Sequence, residues 1–304
     1  MTTTVETPAA DEVPVGKRKG PRRGGVLDLL RIALRKPQGW IGATLLLVVV
    51  LVAFVGPFVA PYSPGEILAA PYTPPGGDYV FGTDGLGRDV LSRFLSGGNV
   101  ILLLALASAV LGVGVGTVLG LIAGYRRGVV GAIIMRTLDI VLSFPSLLLA
   151  LLFLSIIGPK AWLITATIAI SHVPYVARVV ESSSLALTGR GFVQYAEMIG
   201  VPRRRILLRE ILPSITAPLT VQFGIRLTWS IGSIASLAYL GMGRQAPDVD
   251  WGMMINENQV SIVTSPLTVL VPVAAIAVVT IGANMLADAF GQASGIQTRR
   301  SASS

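Results

Sequence analysis

The chain has 304 residues, 52% of them hydrophobic and only 13% charged, with a formal net charge of +8 and a mean hydropathy of +0.72. That is too apolar for a soluble globular protein of this length. The absence of cysteine removes disulfides, thiolate metal sites and cysteine nucleophiles, and the single histidine, His172, leaves no His-rich metal site. The basic residues gather at the ends of apolar runs, which speaks against a nucleic-acid partner and for an integral membrane protein.

Residues 1–39 form a polar, basic tail containing "GKRKGPRR", expected to be partly disordered and cytoplasmic. Its second part, "LLRIALRKPQ", is apolar at Leu29, Leu30, Ile32 and Ala33. It either lies on an anionic membrane face or is a solvated segment that only sets orientation. Six apolar runs follow, at 40–60, 100–123, 133–157, 161–181, 216–239 and 266–288. Each is near the roughly 20 residues that cross a bilayer as helix. The first begins late and outruns the ~7–15 apolar residues of a signal peptide, so it reads as an uncleaved anchor.

Orientation follows from Lys and Arg. The tail, Arg126, Arg127 and Arg136, the Arg178–Arg209 stretch, and Arg299 and Arg300 fall on one side, against Arg88, Arg93, Lys160 and Arg244 on the other. The bias puts both termini, including 291–304, and the 182–215 loop in the cytoplasm, with 61–99 and 240–265 outside.

In the first outer loop, "FGTDGLGRDVLSRFLSGG" at 81–98 predicts a helix capped by Asp89. Val90, Leu91, Phe94 and Leu95 form its apolar side, and Gly97 with Gly98 close it. It is expected as an amphipathic helix on the outer membrane surface. Asp84, Arg88 and Asp89 either cap this structure, the preferred role, or contact a docking protein. Among the spans, Arg136 and Asp139 are expected to pair with each other. Arg226 either faces a translocation path or, the preferred reading, snorkels to the cytoplasm. Pro145, Pro272, Gly112, Gly114 and Gly116 permit kinks and close helix approach. The second outer loop, "LAYLGMGRQAPDVDWGMMINENQ" at 237–259, reads as irregular, with Trp251 as an interfacial aromatic.

The most charged stretch between apolar runs is "QYAEMIGVPRRRILLREILP" at 194–213. Before it, Phe192, Tyr195, Ala196 and Ile199 recur at offsets of a single helix face. Gly200 suits a left-handed helix end and Pro202 the first turn of a new helix. That second helix carries Leu207, Leu208, Ile211 and Leu212 on one side, with Arg203, Arg204 and Arg205 at its start; Pro213 and Pro218 bend or end it. An amphipathic hairpin whose arginines meet lipid phosphate is the alternative reading of these residues.

The spacing resembles the cytoplasmic loop of importer permeases that work with an ATP-binding cassette. The family pattern is Glu-Ala-Ala, three residues, Gly, nine residues, then Ile-x-Leu-Pro. Here Gln194, Tyr195 and Ala196 take its opening, Gly200 its glycine, and Leu212 and Pro213 its end; Glu210 stands at the isoleucine. Three other stretches resemble one subgroup, the C-type permease subunit of dipeptide and oligopeptide importers. They are the 81–98 segment with Gly82, Thr83, Asp84, Gly87, Arg88 and Asp89, the 237–259 loop, and "PYVARVV" at 174–180 running into "GFVQYA". His172 stands where that subgroup commonly has an aromatic. The likeness covers about residues 30–290.

The resemblance implies an all-α membrane protein of six transmembrane helices, of the type I importer permease kind, with a permease core at 100–290 and a coupling loop at about 185–213. It implies half of a translocation pore, completed by a homologous second permease. It further implies two cytoplasmic ATP-binding subunits carrying ATP and Mg2+, an extracytoplasmic substrate-binding protein and a di- or oligopeptide cargo, in a bacterial inner membrane. The coupling loop would dock on an ATPase, and with Gln194 in place of glutamate any ion pair made there would be lost or supplied by Glu197. Nickel chelates or glutathione are alternative cargoes, and a secondary transporter or a structural or assembly membrane protein are the alternative classes. No Gly-x-x-x-x-Gly-Lys-Ser/Thr loop occurs, and His172 alone supports no nucleophile–His–acid set. Catalytic residues, metal ligands and cofactors are therefore expected to be none on this chain, and no substrate-binding residue is identified.

Overall fold

A computed structural model describes residues 26–126, 128–243 and 248–302. The "GKRKGPRR" cluster, Arg127 and Arg244 lie outside them. The described chain is helical throughout apart from the 60–89 loop and shorter connections.

Helix α1 (Val26–Leu34) leads into α2 (Pro37–Val59), which starts with proline in its first turn, where the missing N–H is no loss. Ala33 of α1 is buried against Ala289 and Ala293 at the far end of the chain. One side of α1 is thus docked on protein, while Arg31 and Leu34 are exposed. After the 60–89 loop come α3 (Val90–Ser96) and α4 (Gly98–Tyr125), then α5 (Val129–Leu142) and α6 (Ser146–Ile157). The expected single span at 133–157 is two helices bent by 76°. Pro145 is the cause, because it lacks an N–H and drives Phe144 out of the helical region.

Helix α7 (Ala161–Thr188) leads into a loop that holds α8 (Gly191–Met198), α9 (Arg203–Ile206) and α10 (Leu212–Ser214). Next follow α11 (Thr216–Leu237), α12 (Trp251–Asn258) and α13 (Leu267–Ala302). Helix α13 runs past the expected end of its span, so residues 291–302 are helical. Among the described residues four helices are fit by length and apolarity to cross a membrane, five if the bent α5–α6 pair is one span. Helix α11 is long enough at 22 residues but falls short in apolarity, because Gln222, Arg226 and a series of Ser and Thr interrupt it.

Small residues set the packing. Gly112, Gly116, Gly120 and Gly124 line one face of α4 against α7, where an added Cβ at each would come within 2.5–2.8 Å of a carbonyl oxygen or Cβ of α7. Gly114 faces open space. Helices α2 and α13 cross at Gly42, whose Cβ would lie 2.8 Å from the Gly282 carbonyl, and α11 meets α13 at Gly224 over Ala287. Lipid tails are as apolar as leucine, so close backbone approach takes the part that the hydrophobic effect plays in water. Leu47, Phe58, Leu103, Val118, Leu148 and Ile156 stay exposed on the outside of the bundle.

Candidate functional site: the 191–214 loop and the 81–98 clamp

The loop between α7 and α11 is built around one glycine. Gly200 has φ +78°, the left-handed region that side chains with a Cβ avoid. The Gly200 N–H donates to the Glu197 carbonyl and the Val201 N–H to the Ala196 carbonyl, both at 3.0 Å. Together these are the paired bonds of a Schellman helix end. Pro202 is extended (φ −63°, ψ 138°) and sits just before α9 rather than in its first turn.

Two sides of α8 differ. Val193 and Ala196 are buried with Leu187, Ile206, Ile211 and Ile215. Phe192, Tyr195, Met198 and Ile199 point outward, Tyr195 at 61% and Met198 at 78% exposure. The expected single apolar face therefore splits. Ala196 joins the core, while Phe192, Tyr195 and Ile199 are presented away from the chain. Gln194, Glu197, Arg203 and Arg204 are exposed beside them.

The second helix also differs from expectation. Residues Leu207–Ile211 form one π-helical turn, whose i→i+5 bonding turns Ile206 and Ile211 to the same side. Both are fully buried, and Leu208 is exposed instead. Leu212 and Pro213 are partly buried at the exit to α11. The Tyr125 hydroxyl, at the end of α4, donates to Glu197 Oε1 at 2.7 Å. Glu197 thus ties α8 to the helix that carries the glycine face.

At another place in the fold, the 81–98 segment forms a clamp onto α12. Asp89 caps α3, its Oδ2 accepting from the Ser92 N–H at 2.8 Å and the Ser92 hydroxyl at 2.6 Å. Thr83 is buried and its hydroxyl donates to the Ala70 carbonyl at 2.8 Å. Gly82 and Gly87 adopt φ +76° and +77° in the turns that lead up to the helix. Arg88 Nε donates to Asp84 Oδ2 and Arg88 Nη2 to Glu257 Oε2, both at 2.7 Å. Arg93 reaches the same two oxygens, at 3.1 Å and 2.7 Å. Two guanidinium groups and two carboxylates therefore close a ring in which each charge has two opposite neighbours, the arrangement that repays desolvation.

Arg93 is only 2% exposed, so α3 is not an amphipathic helix with its polar side in water: that side faces Glu257. Asp84, Arg88 and Asp89 are buried as well, and they serve structure. Trp251 is no interfacial aromatic. It is fully buried at the start of α12, stacked on Phe94 with centroids 5.6 Å apart, and its Nε1–H donates to the Phe94 carbonyl at 2.8 Å. Gly97 ends α3 with φ −89°, so a left-handed turn is not its role. Gly98 makes room: a Cβ there would lie 2.4 Å from the Trp251 ring.

Within the bundle, Asp139 pairs with Arg178 of α7, not with Arg136. Helix α5 packs on α7 and brings the two together, while Arg136 is exposed. The Arg226 guanidinium lies over the Tyr175 ring, 4.7 Å from the centroid. His172 is buried, with Nε2 2.8 Å from Ser230 Oγ. Glu257, Arg93 and Met198 were not singled out from the sequence, because their roles depend on contacts across more than 160 residues or on which side of a helix is covered.

Comparison with known proteins agrees with this architecture. Residues 116–295 match the family described as binding-protein-dependent transport system inner membrane component, and residues 28–75 match the N-terminal TM domain of oligopeptide transport permease C. The chain is 37% identical to the dipeptide transport system permease protein DppC of Alkalihalophilus pseudofirmus, over 70% of each chain. It is 36% identical to the glutathione transport system permease protein GsiD of Pectobacterium atrosepticum, over 70% of this chain and 71% of that one. With the di/tripeptide transport system permease protein DppC of Pseudomonas aeruginosa it shares 36%, over 70% and 73%. With a helical bundle fit for the membrane, a glycine-broken loop between α7 and α11 and matches of this extent, the chain belongs to the family of inner-membrane components of binding-protein-dependent transport systems.

Proposed function

We propose that the chain forms half of the translocation pore of an ATP-driven importer for di- and oligopeptides, and that α8 is its contact with a cytoplasmic ATPase. The observation that carries this reading is the outward apolar set Phe192, Tyr195, Met198 and Ile199 on a helix whose opposite side is fixed in the core. A short helix offering such a face fits a groove on a partner. Gln194, Glu197, Arg203 and Arg204 form the polar rim of that contact. The dipeptide and glutathione permeases to which the chain is similar favour peptide cargo, and glutathione is itself a small peptide.

In this mechanism ATP and Mg2+ sit on two partner ATP-binding subunits, and a homologous permease supplies the other half of the pore. An external substrate-binding protein delivers cargo to the face formed by the outer loops, with both termini of this chain in the cytoplasm. When the ATPases close, α8 moves as a rigid piece, because the Gly200 turn and the Val193–Ala196 contact leave it no independent freedom. The Tyr125–Glu197 hydrogen bond and the Ile206–Ile211 core pass that motion to α4 and α7. Those helices are locked face to face by glycine, so they shift together.

Extraction in mild detergent through a C-terminal tag, with mass spectrometry of what co-purifies, tests the assembly. A second permease and one or two phosphate-loop ATPases are expected; a stable chain recovered alone refutes it. Uptake that persists when the proton gradient is collapsed at constant ATP separates this machine from a secondary transporter.

A further inference from the structure

Helix α11 carries Gln222, Arg226 and Ser230 at four-residue spacing, hence on one face. Opposite them stand His172 and Tyr175 of α7. Arg226 and Tyr175 both lie near the midpoints of their helices, about as deep in a membrane as these segments reach. His172 and Ser230 satisfy each other, and Asp139 neutralises Arg178. Arg226 has no such neutralisation: among the described residues no carboxylate pairs with it, and its Nε is buried without a partner, as is Gln222 Oε1. The Tyr175 ring attracts the cation but accepts no hydrogen bond from its in-plane N–H groups.

The strip is not sealed. Tyr175 is 48% exposed, and Ser171, Arg178 and Ser182 continue along the same side of α7. A guanidinium without a counter-ion at this depth is costly against hydrocarbon, so such a face turns to water or to a polar partner. Helix α11 is also the long helix that falls short in apolarity, and on this face the shortfall is concentrated.

We infer that this strip lines the translocation path and that Arg226, steadied by Tyr175, binds an anionic group of the passing cargo, the carboxylate in the case of a peptide. Two in-plane N–H donors match a carboxylate in a way that an ammonium does not. The inference rests on the importer reading and adds a cargo-contacting residue to it.

The test uses the assembled importer with its binding protein, driven by ATP. Maximal uptake rates are measured for dialanine and for dialanine amide, each at a concentration that saturates the binding protein, so that the ratio reports the membrane path. Loss of a charge-assisted contact predicts that Arg226→Gln lowers the dialanine rate by about tenfold or more. The amide rate should change little, Arg226→Lys should restore part of the loss, and Tyr175→Leu should fall between. Equal losses on both probes would assign Arg226 to helix packing and overturn the inference, as would no loss on either. If the wild-type importer carries neither probe with ATP, the importer reading itself fails. If it carries dialanine and Arg226→Gln leaves the dialanine-to-amide ratio unchanged, only this inference does.

Discussion

Gly120 on α4 and Gly114 one and a half turns before it provide a paired test of how the bundle is held. A Cβ at Gly120 would lie 2.5 Å from the Ala177 carbonyl oxygen and 2.7 Å from Val180 Cβ, whereas nothing lies within 4 Å of one at Gly114. Ordinary carbon contacts are about 3.5–4.0 Å, so Gly120→Ala forces α4 and α7 apart by about 1 Å. Most of the obstruction is backbone, and no rotamer change relieves it. Overpacking of this kind costs about 1–3 kcal/mol. Replacing glycine by alanine inside a helix returns about 1 kcal/mol at either position. Gly114→Ala should therefore be neutral or slightly stabilising, and Gly120→Ala should lie about 1–3 kcal/mol below it. At about 2–4 °C per kcal/mol for a chain of this size, the two variants should separate by several degrees. Thermal unfolding of the purified protein in mild detergent, followed by circular dichroism, reads the difference. Equal midpoints would refute the glycine-face account of the α4–α7 contact.

Three further outcomes follow from the site geometry. Gly200→Ala meets no neighbour but must hold φ +78°, at about 1–2 kcal/mol; peptide uptake should drop while the amount of protein in the membrane is unchanged, and full uptake would remove the turn from the mechanism. Tyr195→Asp buries nothing in the chain itself, so insertion and thermal midpoint should be normal while uptake and ATPase co-purification are lost; normal uptake sinks the docking assignment. Glu257→Gln takes the shared carboxylate from Arg88 and Arg93. At about 1.5–3 kcal/mol for a charged hydrogen bond, less what partial exposure of Glu257 screens away, the thermal midpoint should fall by several degrees, and an unchanged midpoint would show that the external ring adds nothing to stability.

Much of the site was legible because it depends on local backbone chemistry. The left-handed turn at Gly200 needs a glycine whatever surrounds it. The Asp89 cap and the break at Pro145 likewise rest on groups within a few residues, although the sequence showed only that Pro145 permits a kink and not that it folds the span by 76°. The misjudged residues share a different property. Leu208 is exposed because a π-turn rotates Ile206 and Ile211 inward, a choice made by the core they enter. Phe192 and Tyr195 lie on the periodic apolar face, yet periodicity does not say whether a face is covered by the same chain or by another.

The charged residues show where the boundary lies between sequence and tertiary structure. The sequence alone determined the membrane class, the runs of helix, the glycine turn and the family pattern, since composition, apolar length and φ preference act locally. Only the folded chain decided that Asp139 meets Arg178, that Arg93 and Arg88 share Glu257, that Trp251 is core, and that Arg226 stands against Tyr175 without a carboxylate. Partner choice between charges many residues apart is set by which helices cross and how closely. On α4 and α7 that distance is set by four glycines whose effect appears only when the opposing helix is in place.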